Sequence, residues 1–107
     1  FQLVDHMCFQ GHSHVPGVFT PNGRFHSPSD CDHRWPIRSD KMMVNVGSVG
    51  QPRDGDPRAA YVLYERHGPD LQTLQLRRVR YDIGEVQARM RAHGLPDVLA
   101  SRLSFGR

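Results

Sequence analysis

The sequence predicts a mixed α/β (α+β) fold in which strands come first and two helices close the chain. Two observations lead to this prediction. Short apolar runs such as MCF and KMMVNV, each bounded by glycine, proline or polar residues, occupy the first part of the chain, and such runs are typical of buried strands. The final part instead has apolar residues three and four positions apart between helix-capping signals. With 107 residues, the chain is long enough for one small domain with one core.

The strands are predicted as mixed and antiparallel. A first strand ends at Gln10, because Gly11 stops the apolar run there. The polar stretch from Thr20 to Asp40 predicts a long loop or a loose hairpin, and KMMVNV predicts the next strand. Two β-branched and aromatic segments, AAYVLYE and LQTLQLRRVRY, then predict an antiparallel hairpin closed by RHGPD.

The second strand of that hairpin has an irregular pattern. Leu74 and Leu76 alternate with polar residues, and the next apolar residues, Val79 and Tyr81, fall out of phase. This shift predicts a β-bulge near Arg77 and Arg78. Together with Arg80, these two arginines are predicted to mark the solvated face of the strand.

The last part of the chain predicts two helices. Asp82, followed three residues later by Glu85, is typical of a capped helix start, and Gly94 is typical of a left-handed helix stop. Pro96 opens a second, shorter helix. The first helix carries an aliphatic stripe that we predict to be core, formed by Ile83, Val86 and Met90. The second helix carries Val98, Leu99 and Leu103.

The composition argues against several classes of protein. The formal net charge is only +3, with 14 Lys and Arg against 11 Asp and Glu, which does not favour a nucleic-acid partner. No apolar run approaches the roughly 20 residues that a membrane helix needs, and no signal segment opens the chain. We therefore expect a soluble, cytoplasmic protein with no membrane partner. Because the chain begins at Phe1 without an initiator Met, we expect it to be a piece of a longer protein.

The histidine pair in GHSHVP, His12 and His14, is the main candidate for chemistry. Imidazole is a good ligand for several divalent metals, and Gly11 and Pro16 would restrict the backbone on either side of the pair. In extended backbone, side chains two residues apart point to opposite sides. The pair could therefore serve two neighbouring ions, one each, if the chain turns between the histidines. The alternative is that both are solvent-facing turn residues.

Three segments together resemble a known family. GHSHVPG and NVGSVGQPRDGDPRAAYVLYE, which starts at Asn45, are similar to the C-terminal half of the bacterial calcineurin-like metallophosphoesterases. The closing segment RYDIGEVQARMRAHGLPDVLASRLSFGR is similar to the end of that family's domain. One departure is Val46, where the family has proline. The resemblance implies that residues 1–107 are the C-terminal portion of a single metallophosphoesterase domain, whose fold is a four-layer α/β/β/α sandwich.

The resemblance also implies a function. The longer protein is then a hydrolase, a metal-dependent phosphoesterase that cleaves phosphoric esters with water activated at a dinuclear metal centre. The cofactors would be two divalent ions, either Mn, Fe, Zn, Ni or Co, with His12 binding one ion and His14 the other. The substrate would be a phosphorylated small molecule, a nucleotide or a phosphoprotein.

The family's remaining metal-binding motifs are absent from the chain. These motifs, D-x-H, G-D-x-x-D and G-N-H-[DE], carry the other ligands and the acid that protonates the leaving group. We therefore expect no catalytic residue within this chain and no activity from it in isolation. The apolar edge of the strand that ends at Gln10 would then lie exposed, so we also expect the isolated chain to form homo-oligomers or to aggregate.

Ser48 and Arg53 are weaker candidates, both for substrate binding. Ser48 lies in a glycine-flanked loop, where a role in the turn explains it better. Arg53 offers a guanidinium fork for phosphate, but Arg53 beside Asp54 is at least as typical of a structural clamp. The alternative function is a non-catalytic fragment or small module that binds structural zinc. Its ligands would come from Cys8, His12, His14, Cys31 and His33, although their spacing fits no familiar zinc motif.

Overall fold

Two β-sheets form most of the structure, a computed structural model that describes residues 1–38 and 40–107. In chain order, the strands are β1 (Met7–Gln10), β2 (Gly17–Phe19), β3 (Phe25–His26), β4 (Arg34–Ile37), β5 (Met42–Asn45), β6 (Ala59–Arg66) and β7 (Gln72–Val79). The first sheet has the order β1-β5-β2-β3, and the second has the order β4-β7-β6. The α+β prediction is confirmed.

The pairing of β1 with β5 brings two distant loops together. The two strands are parallel, with Gln10 opposite Asn45, so both end at the same edge of the sheet. β2 lies antiparallel on the other side of β5, with Gly17 also opposite Asn45. The loop after Gln10, which carries the histidine pair, and the loop after Asn45 therefore leave the sheet side by side.

The hydrophobic core lies between the two sheets. Its buried members come from both of them: Val18, Ile37, Met42, Val44 and Leu74. Each of these side chains would add roughly 1.5–3 kcal/mol of stability through burial. The core thus anchors β5, the strand that leads into the second loop.

The hairpin of β6 and β7 is regular, so the predicted β-bulge is wrong. The pairing runs without interruption from Ala59 opposite Val79 to Arg66 opposite Gln72. Leu76 is buried, and Arg78, two residues later, has a side chain that is only 6% exposed. An arginine therefore occupies the inward position where the pattern led us to look for an apolar residue, and the period of two is never broken.

The polar stretch from Thr20 to Asp40 contains more strand than we predicted. β3 lies in this stretch and pairs with β2, which precedes it, and β4 follows within the stretch and pairs with β7. Ser39, also in this stretch, lies outside the described residues. β4 escaped prediction because Pro36 lies in its middle, and proline normally argues against a strand. It is tolerated here because β4 is an edge strand.

Three short helical segments close the chain: α1 (Ile83–Ala92), α2 (Asp97–Ser101) and a 3-10 helix (Arg102–Phe105). The predicted start of α1 is confirmed, because the Asp82 side chain caps it and accepts a hydrogen bond from the Glu85 backbone N–H at 2.9 Å. Gly94 follows the helix with φ +72°, which is the predicted left-handed stop.

The aliphatic stripe of α1 is only half-buried, and no residue of this helix is fully buried. Most contacts of α1 are with α2 and the 3-10 helix. The Gln87 side-chain amide makes two of these, to the Ala100 carbonyl at 2.9 Å and the Ser104 hydroxyl at 2.8 Å. Of the apolar residues predicted on the second helix, Leu103 is buried, whereas Val98 is 67% exposed. The described residues therefore cover only part of the helical face.

The described chain is also more extended than an independent domain of its length. Its radius of gyration is 16.0 Å, compared with about 13 Å for a globular domain of about 100 residues. None of the helices in residues 1–38 and 40–107 is long and apolar enough to cross a membrane.

Candidate metal centre

The histidine loop turns sharply between its two imidazoles. His12 has φ +72° and His14 has φ +62°, both in the left-handed region that non-glycine residues rarely adopt. The Ser13 backbone N–H donates to the Gly11 carbonyl at 3.0 Å, which tightens the turn. The condition that we set for two neighbouring ions, a turn between the histidines, is therefore met. Such unusual backbone is concentrated at functional sites, because surrounding contacts must hold it in place.

Asn45 holds this loop in place through hydrogen bonds of its side chain. It lies at the end of β5 and is 2% exposed. Its side-chain amide donates to the Gly11 carbonyl at 2.9 Å and to the Ser13 hydroxyl at 2.8 Å. Its side-chain oxygen accepts from the Gly47 backbone N–H at 3.0 Å. One buried side chain thus joins the histidine loop to the loop that follows β5.

The ring of His14 is oriented by a backbone carbonyl. His14 Nδ1 lies 2.8 Å from the Gln51 carbonyl oxygen. Because a carbonyl only accepts hydrogen bonds, this contact requires a proton on Nδ1, so in the neutral ring the lone pair is on Nε2. Metal-binding histidines are commonly oriented in this way. His12 is exposed.

The second loop packs tightly against the first at Gly47. Gly47 has φ +79°, and a side-chain Cβ there would lie 2.6 Å from the Ala60 Cβ and 3.1 Å from the Pro16 Cβ. Only glycine fits both this backbone and this approach. Ser48 accepts a hydrogen bond from the Gln51 backbone N–H at 3.0 Å, which is the turn role that we preferred for it.

Arg53 lies beside His14 but does not pair with Asp54. Its backbone N–H donates to the His14 carbonyl at 3.2 Å. Its exposed guanidinium donates to the Gln51 side-chain oxygen at 2.7 Å. The expected clamp between Arg53 and Asp54 is wrong, because Asp54 forms an ion pair with Arg78 instead.

Arg78 is not solvated, contrary to our prediction for it. Its guanidinium pairs with Asp54, lies 3.8 Å from an Asp56 carboxylate oxygen, and donates to the Arg58 carbonyl at 3.1 Å. Because Arg78 faces inward from β7, its side chain reaches the loop that contains these three residues. Arg58 in turn donates to both carboxylate oxygens of Asp56, and these hydrogen bonds are the main reason why the pKa of Asp56 falls to about 2.

The two cysteines are free thiols. Cys8 lies in β1 and is half-buried, and partial burial raises the pKa of the Cys31 thiol. Within residues 1–38 and 40–107, no three His, Cys, Asp or Glu side chains come together in a group that could hold a metal ion. The zinc ligands of the alternative function are therefore not assembled among these residues.

Sequence reasoning missed three parts of this site: Asn45, the Gln51 carbonyl and Arg78. Asn45 could have been suspected, because an amide at the end of an apolar strand is a polar group about to be buried and needs partners. Arg78 could have been suspected from the same broken pattern that we interpreted as a bulge. A backbone carbonyl such as that of Gln51 leaves no signal in a sequence.

Comparisons with known proteins agree with the predicted resemblance. No protein-family model matches the chain. Over 94% of its length, the structure matches a crystal structure of a metallophosphoesterase from Sphaerobacter thermophilus, with a TM-score of 0.83 and 42% sequence identity. The chain is thus similar to part of a metallophosphoesterase. It is also 36% identical, over 94% of its length, to an uncharacterized protein of Methanocaldococcus jannaschii. It spans 42% of the first of these proteins and 40% of the second.

Proposed function

We propose that this metallophosphoesterase-like segment is the C-terminal portion of a metal-dependent phosphoesterase domain, in which His12 binds one divalent ion and His14 a second. Residues 1–107 would contribute one side of a four-layer α/β/β/α sandwich. The extended shape of the chain and the half-buried stripe of α1 support this, since both leave surface for further packing. A cytoplasmic location stays a prediction from the sequence.

The orientation of His14 is the observation that carries the proposal. A metal ligand needs a neutral imidazole with its lone pair directed at the ion. The hydrogen bond between His14 Nδ1 and the Gln51 carbonyl gives the ring that tautomer. The residues present thus fit a metal, and the donor type suits Mn, Fe, Zn, Ni and Co alike.

The chain by itself would not retain the metals. Two neutral imidazoles on one loop cannot compensate the charge of two divalent ions, and structural and catalytic zinc sites, for example, use at least three protein ligands. The carboxylates and the leaving-group acid would come from the rest of the domain. Bound ions would supply phosphate polarisation and a lowered pKa for bound water.

Arg53 is the residue of this chain that we propose for contact with the substrate phosphate. Its guanidinium is exposed and its backbone N–H donates a hydrogen bond to the His14 carbonyl, so it lies at the rim of the site. Ser48 is the weaker candidate, because its hydroxyl already serves the turn. The substrate would be a phosphorylated small molecule, nucleotide or phosphoprotein.

The test is substitution of the histidines in the full-length protein. We expect His12→Ala and His14→Ala each to lower kcat on an aryl phosphate by at least about 100-fold, because loss of one ligand disturbs one ion of a pair that acts together. Metal content measured on the same samples should fall as well. The matched control is His67→Ala, which removes an exposed histidine from the turn between β6 and β7. Unchanged turnover and metal content in both loop variants would refute the proposal.

A further inference from the structure

Arg78 contacts the loop that orients His14 at three separate points. Its side chain comes from β7, in the sheet that does not carry the histidine loop, and is 6% exposed. It pairs with Asp54, approaches the carboxylate of Asp56 to 3.8 Å, and donates to the Arg58 carbonyl at 3.1 Å. A planar guanidinium with several donors can hold three acceptors in one geometry. These contacts determine where the segment from 54 to 58 lies.

The same segment is restrained from the opposite end of the chain. The Gly55 backbone N–H donates to the Gly106 carbonyl at 3.0 Å. Gly106 has φ +63°, and a Cβ there would lie 2.7 Å from the Asp56 backbone nitrogen. The C-terminal turn therefore lies directly against the loop, at a distance that only glycine allows.

The restrained segment continues directly into the residues that hold His14. The Gln51 carbonyl contacts the His14 ring at 2.8 Å, and the Arg53 N–H donates to the His14 carbonyl at 3.2 Å. Between them, Pro52 is fully buried and fixes one backbone angle. A displacement of Asp54 would thus move the atoms that orient the imidazole. Asp54, Asp56 and Arg78 also line a cavity of about 270 Å³ together with Val15 and Pro16, which follow His14 in the chain.

We propose that Arg78 is a positioning residue for the metal ligand His14. It acts through Asp54 and the segment from Gln51 to Arg53, and Gly106 supports the same loop from the other side. The functional consequence of this inference rests on the proposed function, in which His14 is a metal ligand. Its structural content, the fixed orientation of the His14 ring, is testable without metal or substrate.

The experiment measures which ring nitrogen of His14 carries the proton. The full-length protein, isotope-labelled and stripped of metal, is studied by long-range ¹H–¹⁵N correlation of its imidazoles at a pH where they are neutral. In the wild-type protein we expect His14 to be protonated on Nδ1 alone. In Arg78→Ala we expect a mixture of both tautomers. In Arg78→Lys we expect a smaller loss of the Nδ1–H tautomer, because lysine keeps the positive charge but not the planar set of donors.

Arg77→Ala is the matched control, since Arg77 is the exposed neighbour on the same strand. Its spectrum should equal that of the wild type. Gly106→Ala disturbs the loop without touching Arg78 and should also yield mixed tautomers, so it keeps the proposal testable if Arg78→Ala fails to fold. Mn or Zn titration of the same proteins should show a roughly 10- to 100-fold loss of affinity in Arg78→Ala and little change in Arg77→Ala.

The outcomes separate this inference from the proposed function. Three results would overturn the positioning role: a wild-type His14 ring with both tautomers, a single Nδ1–H tautomer retained in Arg78→Ala, or, if Arg78→Ala fails to fold, that single tautomer retained in both Arg78→Lys and Gly106→Ala. If instead the tautomers respond as expected while His14→Ala leaves hydrolysis intact, the positioning role stands and the proposed function fails.

Discussion

Two turns of this molecule use the same local chemistry in different surroundings. In the turn between β2 and β3, the Asn22 side-chain oxygen accepts from the Arg24 N–H at 3.2 Å, and Gly23 has φ +79°. In the loop after β5, the Asn45 side-chain oxygen accepts from the Gly47 N–H at 3.0 Å, and Gly47 also has φ +79°. Both are turns in which an asparagine bonds the backbone two residues on.

Their surroundings differ completely. Asn22 is exposed, and a Cβ at Gly23 would have no neighbour within 4 Å. Asn45 is 2% exposed and donates hydrogen bonds from its amide to the histidine loop, while a Cβ at Gly47 would collide with Ala60. The turn at Asn22 thus only reverses the chain, whereas the turn at Asn45 also holds the histidine loop of the candidate site in place. Paired substitutions at corresponding residues of the two turns, made in the full-length protein, would measure the effect of these surroundings.

The largest difference in the free energy of unfolding is expected between the two asparagine variants. Asn45→Ala removes three hydrogen bonds of a buried side chain and leaves the space of its amide empty, and should lower the free energy of unfolding by about 3–4 kcal/mol. Asn22→Ala, on the surface, should cost about 1 kcal/mol or less, because water replaces the lost hydrogen bonds. Urea denaturation of both variants measures the difference. Similar losses would mean that the burial of Asn45 contributes nothing.

A smaller difference is expected between the glycines. Both alanine variants carry the cost of a left-handed backbone, about 1 kcal/mol. Gly47→Ala adds the collision with Ala60, which typically costs 1–3 kcal/mol, for a total loss of about 3 kcal/mol. Gly23→Ala should show the backbone cost alone. Equal destabilisation in thermal or urea unfolding would show that the second loop moves away from Ala60 at no cost.

The smallest difference is expected between the hydroxyls bonded to the two asparagines. Ser13→Ala removes the acceptor 2.8 Å from the Asn45 amide and should cost about 1 kcal/mol, because the amide is buried. Thr20→Val removes the donor 2.6 Å from the exposed Asn22 side chain and should cost under about 0.5 kcal/mol. Hydrogen exchange of the two loops should show faster exchange only after Ser13→Ala. A larger effect of Thr20→Val would reverse the ranking of the two turns.

Much of the fold could be predicted because its signals are local. The hairpin of β6 and β7 and the capped start at Asp82 were found from residue type and period, which depend on neighbours in sequence. β4 was missed because its partner, β7, is distant in the chain and Pro36 masks its pattern. The bulge was predicted in error because Arg78 was assumed to face solvent.

For the candidate site, the sequence supplied the histidine pair, its turn-forming neighbours and the likeness to a metallophosphoesterase. It did not supply the supports of that pair. Asn45 lies 34 residues from its acceptor Gly11, and the Gln51 carbonyl lies 37 residues from the His14 ring. Neither contact has a pattern in the sequence, because each depends on the parallel pairing of β1 with β5.

By itself, then, the sequence determined that strands precede two closing helices, and it supplied the hairpin of β6 and β7, the capped start of α1 and the identity of the candidate ligands, since these follow from residue types and their spacing along the chain. The tertiary structure alone decided which of two equivalent turns is buried, which nitrogen of His14 bears the proton, and that Arg78 faces inward. These properties depend on contacts between residues far apart in sequence, where the burial of a polar group requires a partner that only the folded chain can bring into place.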